Sequence, residues 1–266
     1  MTFAHAMRAL HGIAGRELLR FLQQRERFLA SLARPLLWLL VFAAGFRAVL
    51  GLSIAPPYET YVTYEVYIVP GLAGMVLLFN GMQSSLSMVY DREMGSMRML
   101  LTSPLPRWFL LSAKLIAGAS VSVLQAYAFL AVAAIYGVRF SLSGYAALLP
   151  AMYLAAIAFG AIGLLLSSLI RQLENFAGVM NFVIFPLFFL STALYPIWKM
   201  QESSEALYWL CLLNPFTHAV ELIRFAAYVK FNGLALLVTF ATAGIFLLLS
   251  IWGYDPRLGV LKRQVA

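Results

Sequence analysis

Six long apolar runs alternate with short polar or charged segments along the chain. Each run is long enough to cross a hydrocarbon core of about 30 Å as a helix. Because lipid offers no partner for open backbone groups, such runs favour a bundle of helices. The runs lie at about 33–52, 66–89, 112–137, 145–170, 175–195 and 234–253.

Composition supports a membrane environment. The 266 residues are 62% hydrophobic and 11% charged, with a mean hydropathy of +0.85. A soluble domain is about half apolar and about a quarter charged, so lipid must cover part of this surface. The net charge of +8 suggests basic loops and anionic lipid rather than nucleic acid. The single cysteine, Cys211, excludes an internal disulfide, and no Cys/His spacing is typical of a zinc site.

The distribution of lysine and arginine predicts the orientation. Residues 1–34, 91–114, the link at Arg171 and the tail after residue 253 together carry fourteen of these cations. The opposite loops carry Arg139, Lys199, Arg224 and Lys230. Since basic loops stay inside, we expect both termini and the segment 90–114 to be cytoplasmic.

The basic lead before the first run has helical periodicity. Leu18, Leu22, Leu29, Leu32 and Leu36 recur near helical spacing with arginines between them. This pattern predicts an amphipathic helix along the cytoplasmic face; the alternative is a cytoplasmic helix packed on a partner. A 34-residue lead exceeds a secretory n-region, so we expect no cleaved signal peptide.

The segment 196–233 is apolar but is interrupted at Asn214-Pro215. Neither half could span a bilayer, so we expect two short re-entrant helices joined at this turn. A seventh span is the alternative, but it would place the tail cations Arg257, Lys262 and Arg263 outside.

A charged segment, "YDREMGSMRMLLTSPLPRW" at 90–108, separates runs two and three. Asp91 and Glu93 lie near the start of a short predicted helix over 91–101, and the prolines of "SPLPR" end it. A charged helix below the membrane suits a soluble partner. A solvated turn with anchoring arginines is the alternative.

Runs two and five carry the polar and aromatic groups that stand out within the spans. In run two, Asn80, Gln83, Ser84 and Ser87 form one polar stripe at helical spacing. Polar groups in a span face protein or a water-filled cavity, so cavity lining and helix–helix hydrogen bonding are both open. In run five, Asn181 lies about two turns from Phe188, with Phe185, Phe189 and a kink at Pro186 nearby. Core packing of these phenylalanines is equally compatible with the sequence.

The segment "VYDREMGSMRMLLTSPLPRWFLLSAKLIAG" resembles the cytoplasmic loop of the permease subunits of type-2 ABC exporters. "LNPFTHAVELIR" is similar to the Asn-Pro segment of that family, and the six-span order agrees throughout. Among the family's branches, the chain is most similar to the daunorubicin-type drug-exporter permeases. The positions that carry the loop resemblance are Arg92, Glu93, Gly95, Ser96, Leu100, Leu101, Pro104, Arg107 and Lys114.

The resemblance implies a membrane subunit that works as a pair with two separate ABC ATPase subunits. The chain has no Gly-Lys pair and therefore no P-loop, so we expect no enzyme activity and no cofactor of its own; ATP and Mg belong to the partner. The resemblance implies a coupling role in which Glu93 is the first candidate. The full coupling set is Arg92, Glu93, Gly95, Ser96, Arg98, Pro104 and Arg107.

The resemblance also places spans two and five at a central cavity. The implied pathway residues are Asn80, Gln83, Ser84, Ser87, Asn181, Phe185 and Phe188, and Asn214 and Pro215 would cap the exit. Aromatic rings beside sparse amides suit a hydrophobic or amphipathic, drug- or lipid-like substrate. Export of a lipid-linked glycan or other envelope component is the alternative.

Two other classes fit the sequence less well. An ion-coupled carrier should show carboxylates within its spans, whereas Glu65 and Glu174 lie at span ends. A membrane transferase should show paired aspartates, and Asp91 and Asp255 are far apart.

The sequence therefore predicts one all-α transmembrane permease domain over 1–266. It comprises a cytoplasmic interfacial helix at 1–32, a six-span bundle at 33–253 and a cytoplasmic tail at 254–266. A coupling helix lies between spans two and three, and re-entrant helices lie between spans five and six.

Overall fold

The computed structural model describes residues 32–41, 57–58, 62–93, 106–170 and 172–254, and isolated positions before residue 20. The interfacial helix and the tail after residue 254 lie largely outside the described residues. Regular structure in the described part is helical. The helices are α1 Leu32–Val41, α2 Tyr64–Ser84, α3 Leu86–Glu93, α4 Arg107–Ile135, α5 Leu142–Leu169, α6 Leu173–Phe189, α7 Ile197–Ser203, α8 Glu205–Leu213, α9 Pro215–Ala227 and α10 Gly233–Gly253.

Four of the six predicted runs form helices long and apolar enough to cross a membrane. They are Tyr64–Tyr90, which joins α2 to most of α3, together with α4, α5 and α10. The α8–α9 pair is bent by 73° and could form a fifth, broken span. Run five is the shorter helix α6, and run one is described only as α1. The all-helical class is thus confirmed for the described residues, while the count of six spans stays a prediction.

Helices α2 and α5 form the centre of the bundle, and α5 also packs on α4, α9 and α10. Close approach depends on small residues, as is usual between membrane helices. A Cβ atom added to Gly81 would lie 2.9 Å from the backbone nitrogen of Gly160. The two backbones therefore meet at a point that tolerates only glycine.

Helix α10 lies at the periphery. The hydroxyls on its inner face bond to carbonyls of the same helix. Thr239 Oγ1 donates to the Ala235 carbonyl at 2.7 Å, and Ser250 Oγ donates to the Phe246 carbonyl at 2.6 Å. Its outer face exposes large apolar side chains, including Leu237, Phe240 and Leu248. Such a face suits lipid hydrocarbon.

The helix ends gather into two groups. At one end, Tyr254 after α10 bonds Ser167 of α5 at 2.7 Å, and α3 packs against both α5 and α6. At the other end, Tyr64 Oη donates to the Leu194 carbonyl at 2.9 Å, and Lys230 Nζ donates to the Pro57 carbonyl at 2.9 Å. Glu93 and Arg107 therefore lie at the end of the bundle opposite to 196–233, while the orientation in the membrane stays a prediction.

Candidate functional site

Helix α6 has one packed face and one open face. Its packed side chains follow the i, i+4 ridge, as in common helix packing: Phe176, Met180, Ile184 and Phe188. The open face carries Asn181 with Phe182 and Phe185, whose exposed fractions are 78% and 46%. Unlike the exposed face of α10, which carries Leu237, Phe240 and Leu248, this face also carries an exposed amide, and polar groups within a span usually face protein or a cavity.

The predicted pathway phenylalanines differ in their surroundings. Phe185 is half-exposed, with ring centroids 6.3 Å from Phe79 and 6.1 Å from Phe189. Phe188 is only 1% exposed. Its ring contacts Trp38 at 5.6 Å and Phe216 at 6.1 Å. Phe188 thus fixes α6 to α1 and α9, which is the core-packing alternative, and any role in the pathway would be through its neighbours.

The polar stripe on α2 is partly buried along its length. Ser84 Oγ donates to the Gly81 carbonyl at 2.7 Å, and Ser87 Oγ donates to the Ser84 carbonyl at 2.9 Å. Ser84 also lies against Gly118 of α4. Each serine therefore bonds a carbonyl three residues earlier rather than a neighbouring helix, so cavity lining and helix–helix hydrogen bonding both stay open for the stripe.

Asn80 differs from the serines of the stripe. Its Nδ2 atom is buried, and within the described part of the chain it has no hydrogen-bond partner. A buried amide in this state costs about 1–3 kcal/mol unless something satisfies it. Asn80 is therefore the stripe residue with the strongest need for a ligand, a water or a partner group, and Gln83 is half-buried one turn away.

Arg34 joins this region, although the sequence pattern assigned it to the basic lead. Its guanidinium carbon lies 4.0 Å from the centroid of the Phe79 ring. The Trp38 ring, one turn further along α1, lies 5.7 Å from Phe189. Only the tertiary contact of α1 with α2 and α6 reveals this placement.

The predicted coupling segment is described at its two ends. Helix α3 runs from Leu86 to Glu93, so the helix that contains Asp91 and Glu93 begins five residues earlier than predicted. Glu93 is exposed, and the backbone of Arg92 is helical. Arg107 is half-buried at the first position of α4, whose start also precedes the predicted residue 112. Gly95, Ser96, Arg98 and Pro104 lie outside the described residues.

Lys114 Nζ lies 3.0 Å from Met88 Sδ and connects α4 to α3. This contact holds the two helices on either side of the charged segment together. Glu93 and Arg107 therefore belong to one end of the bundle.

Asn214 and Pro215 form the predicted break between α8 and α9. Asn214 caps α9, because its Oδ1 accepts from the Phe216 amide at 2.9 Å, and Pro215 occupies the first turn. The Asn214 Nδ2 group also donates to the carbonyls of Leu187 at 2.8 Å and Leu190 at 2.5 Å. The hairpin is thus fixed to the end of α6, the helix with the open aromatic face.

A buried ion pair on α9 was missed by sequence reasoning. Arg224 pairs with Glu221 one turn earlier and donates to the Thr192 carbonyl at 2.7 Å. Its guanidinium carbon also lies 4.1 Å from the centroid of the Tyr67 ring. The spacing of Glu221 and Arg224 on an amphipathic helix was the only signal available.

A bundle of apolar helices with a charged segment at one end and an apolar hairpin at the other defines an integral membrane protein. The chain belongs to the ABC-2 type transporter family, whose family model matches residues 8–228. This match confirms the family resemblance, but it does not distinguish the daunorubicin-type branch.

Curated relatives agree with this family. The chain is 27% identical to ycf38 of Cyanophora paradoxa, named a transport permease, over 77% of this chain and 70% of the relative. It is equally identical, over the same shares, to ycf38 of Porphyra purpurea. It is 31% identical to YbhR of Escherichia coli (strain K12), named a multidrug ABC transporter permease, over 63% of this chain and 45% of that relative.

Family membership has two consequences. The partners of an ABC-2 permease are ABC ATPase subunits. Membrane subunits of such permeases are typically not enzymes themselves. The chain is therefore a transport permease of this family.

Proposed function

We propose that this chain is the permease subunit of an ATP-driven exporter in a bacterial inner membrane, with both termini cytoplasmic. Two copies would enclose a pathway for a hydrophobic or amphipathic, drug- or lipid-like substrate. Two ABC ATPase subunits, which bind ATP and Mg, would drive it.

The open aromatic face of α6 carries this proposal. Phe182, Phe185 and Phe189 form a surface that a lone protomer leaves uncovered, next to the exposed amide of Asn181. Apolar pockets with few orienting polar groups suit large amphipathic molecules. Lipid would cover a wholly apolar face, but the Asn181 amide favours contact with a second copy or with substrate.

The coupling role proposed for 91–107 is supported by its position. Exposed Glu93 and half-buried Arg107 flank a charged segment at one end of the bundle, opposite the Asn214 hairpin. A soluble ATPase at this end could push on α3 and α4 together. The Asn214 hairpin would then cap the exit at the far end.

The name of YbhR is compatible with a drug-like substrate. The daunorubicin-type branch is our finer proposal, and export of a lipid-linked glycan or other envelope component is its alternative. Identification of the transported molecule would distinguish these two proposals.

The test is co-purification with a candidate ABC ATPase subunit from the same organism, followed by reconstitution into proteoliposomes. We expect a stable complex, ATP-dependent export of an aromatic amphiphile such as a fluorescent dye, and no export with an ATPase whose P-loop lysine is replaced. Mass spectrometry of co-purifying small molecules would separate a drug-like from a glycan-linked cargo. Export driven by an ion gradient without ATP would contradict the proposal.

A further inference from the structure

The position of Arg34 is unusual for a residue of a basic lead. Its guanidinium packs on Phe79, which lies within the Tyr64–Tyr90 span. At 1.5 Å per residue, this ring is roughly 22 Å from the Tyr64 end of the helix and roughly 16 Å from the Tyr90 end. An uncompensated charge packed against the side of a span is costly, and such charges commonly line a substrate or ion pathway.

The charge of Arg34 is not balanced by an acidic side chain anywhere in the described part of the chain. The ion pairs there join Lys199 to Glu202 and Arg224 to Glu221. Arg34 instead faces the π-electrons of Phe79 and remains exposed. A cation–π contact contributes about 0.5–2 kcal/mol, which does not replace a counter-ion beside an apolar span. The guanidinium is therefore open to an anion.

Apolar rings continue from Arg34 across the open face of α6. Phe79 meets Phe185 edge to face, and Phe185 stacks on Phe189 with an interplanar angle of 21°. Trp38 closes the other side of Phe189. Phe185 and Phe189 are both exposed. The Arg34 guanidinium, with its five N–H donors, therefore lies beside a row of aromatic rings, two of which, Phe185 and Phe189, are exposed.

We propose that Arg34, with the rings of Phe79, Phe185 and Phe189, forms a binding site for an anionic amphiphile. A phosphate, sulfonate or carboxylate would accept hydrogen bonds from the guanidinium, and the apolar body would lie on the rings. This inference rests on the proposed function and narrows its substrate class from amphipathic to acidic. The anion could be a transported molecule or the headgroup of a membrane phospholipid.

Binding of a matched pair of probes to the full-length protein tests this site. The protein is placed in phosphatidylcholine nanodiscs, and empty nanodiscs provide the background. The probes are anilinonaphthalene sulfonate and phenylnaphthylamine, which share the same ring system and differ in the sulfonate. We expect the wild-type protein to bind the sulfonate about tenfold more tightly than the uncharged probe. A hydrogen bond to a charged group contributes roughly the free energy that corresponds to a tenfold change in Kd.

Substitutions at Arg34 decide whether the guanidinium is responsible. Arg34→Gln should remove the tenfold preference and leave binding of the uncharged probe unchanged, whereas Arg34→Lys should keep part of it. Phe185→Leu should weaken both probes equally. The matched controls are Arg139→Gln, an exposed arginine that bonds the Ala134 carbonyl, and Phe240→Leu, an exposed ring on α10. Both controls should bind like the wild type.

Nanodiscs with added phosphatidylglycerol separate the two sources of the anion. If phosphatidylglycerol competes with the sulfonate in the wild type but not in Arg34→Gln, the site binds a lipid headgroup. If phosphatidylglycerol does not compete in the wild type, the site binds a free amphiphile rather than this lipid. Equal binding of the two probes by the wild type, or an unchanged preference in Arg34→Gln, would overturn the inference. Because no ATPase is present, these results are independent of the export assay, and either can fail alone.

Discussion

At the scale of single residues, two ion pairs with the same spacing have very different surroundings. Arg224 and Glu221 have exposed side-chain fractions of 2% and 22%, whereas Lys199 and Glu202 have 45% and 60%. Burial removes the Arg224 charge from water, so the guanidinium depends on Glu221 and on the Thr192 carbonyl, to which it donates. The pair also connects α9 to the start of α2 through Tyr67.

Replacing one partner of the buried pair should therefore be costly. Arg224→Met leaves Glu221 without its counter-ion, and we expect a loss of about 3–5 kcal/mol in stability, seen as a large drop in the thermal unfolding midpoint in nanodiscs. Lys199→Met should cost under about 1 kcal/mol, because its pair is exposed. The double variant Arg224→Met with Glu221→Leu should recover much of the loss. Equal midpoints for Arg224→Met and Lys199→Met would show that the pair does not stabilise the fold.

Sequence reasoning counted Arg224 among the outer loop cations because hydropathy does not report depth within a short helix. The same limitation applied to Arg34, which was assigned to the lead. In both cases the decisive contact comes from a residue that is distant in the sequence, namely Thr192 or Phe79. Charge counts predicted a side of the membrane for each residue, which stays a prediction, and they could not predict which side chains lie against them.

At the scale of elements, the α8–α9 hairpin shows what local chemistry can predict. Asn-Pro ends one helix and begins another, because asparagine caps and proline fits the first turn. The 73° bend at this point confirms the break that the sequence predicted. The bonds from Asn214 to the carbonyls of Leu187 and Leu190 could not be predicted, since they depend on how α6 ends.

Substitutions at Asn214 should separate capping from docking. Asn214→Asp keeps the oxygen that caps α9 but loses the donor to the α6 carbonyls, while Asn214→Ala loses both. We expect faster amide hydrogen exchange over 205–227 in both variants, with the larger increase in Asn214→Ala, because a lost cap costs about 1 kcal/mol. Asn232→Ala, which removes the cap bonded to the Ala235 amide on α10, is the matched control and should change exchange only at α10. If Asn214→Asp exchanges like the wild type, the bonds to α6 contribute nothing.

The element boundaries also show where the sequence pattern was limited. The prediction ended the second span at residue 89, yet α3 continues the helix to Glu93, with only a turn at Ser85 between it and α2. Apolar periodicity stops where the lipid stops, but backbone hydrogen bonding does not. For this reason Glu93 lies at the end of a helix that extends from the bundle.

At the scale of the whole molecule, helix α3 connects the start of the charged segment to the bundle. Helix α3, which contains Glu93, packs on α5 and α6, so the structure provides a direct contact between this helix and the one with the open aromatic face. A partner that holds Glu93 could therefore act on α6 without contacting it. The sequence predicted the helical class and a helix at Glu93, whereas this packing required the structure.

Glu93→Ala should uncouple the partner without unfolding the permease. Glu93 is exposed, so its removal costs the fold little, but a desolvated contact with an ATPase could contribute a few kcal/mol. We expect normal membrane insertion with weaker ATPase co-purification or lower substrate-stimulated ATP turnover. Glu202→Ala, an exposed acid at the opposite end of the bundle, should behave like the wild type. Export and ATP turnover at wild-type rates in Glu93→Ala would show that Glu93 is only a solvated surface residue.

The open face of α6 should meet its counterpart in a second copy. Phe182 is its most exposed ring, and Phe240 on α10 is a comparably exposed ring on a face suited to lipid. With Cys211, which is buried, replaced by alanine, Phe182→Cys and Phe240→Cys each provide one reactive thiol in an otherwise matched chain. Aromatic side chains are enriched in the buried centres of protein interfaces, so we expect a short bismaleimide to join two copies efficiently through position 182 and poorly through position 240. Equal cross-linking at the two positions, or a transport-competent complex containing a single permease copy, would show that α6 does not lie at the centre of a pair.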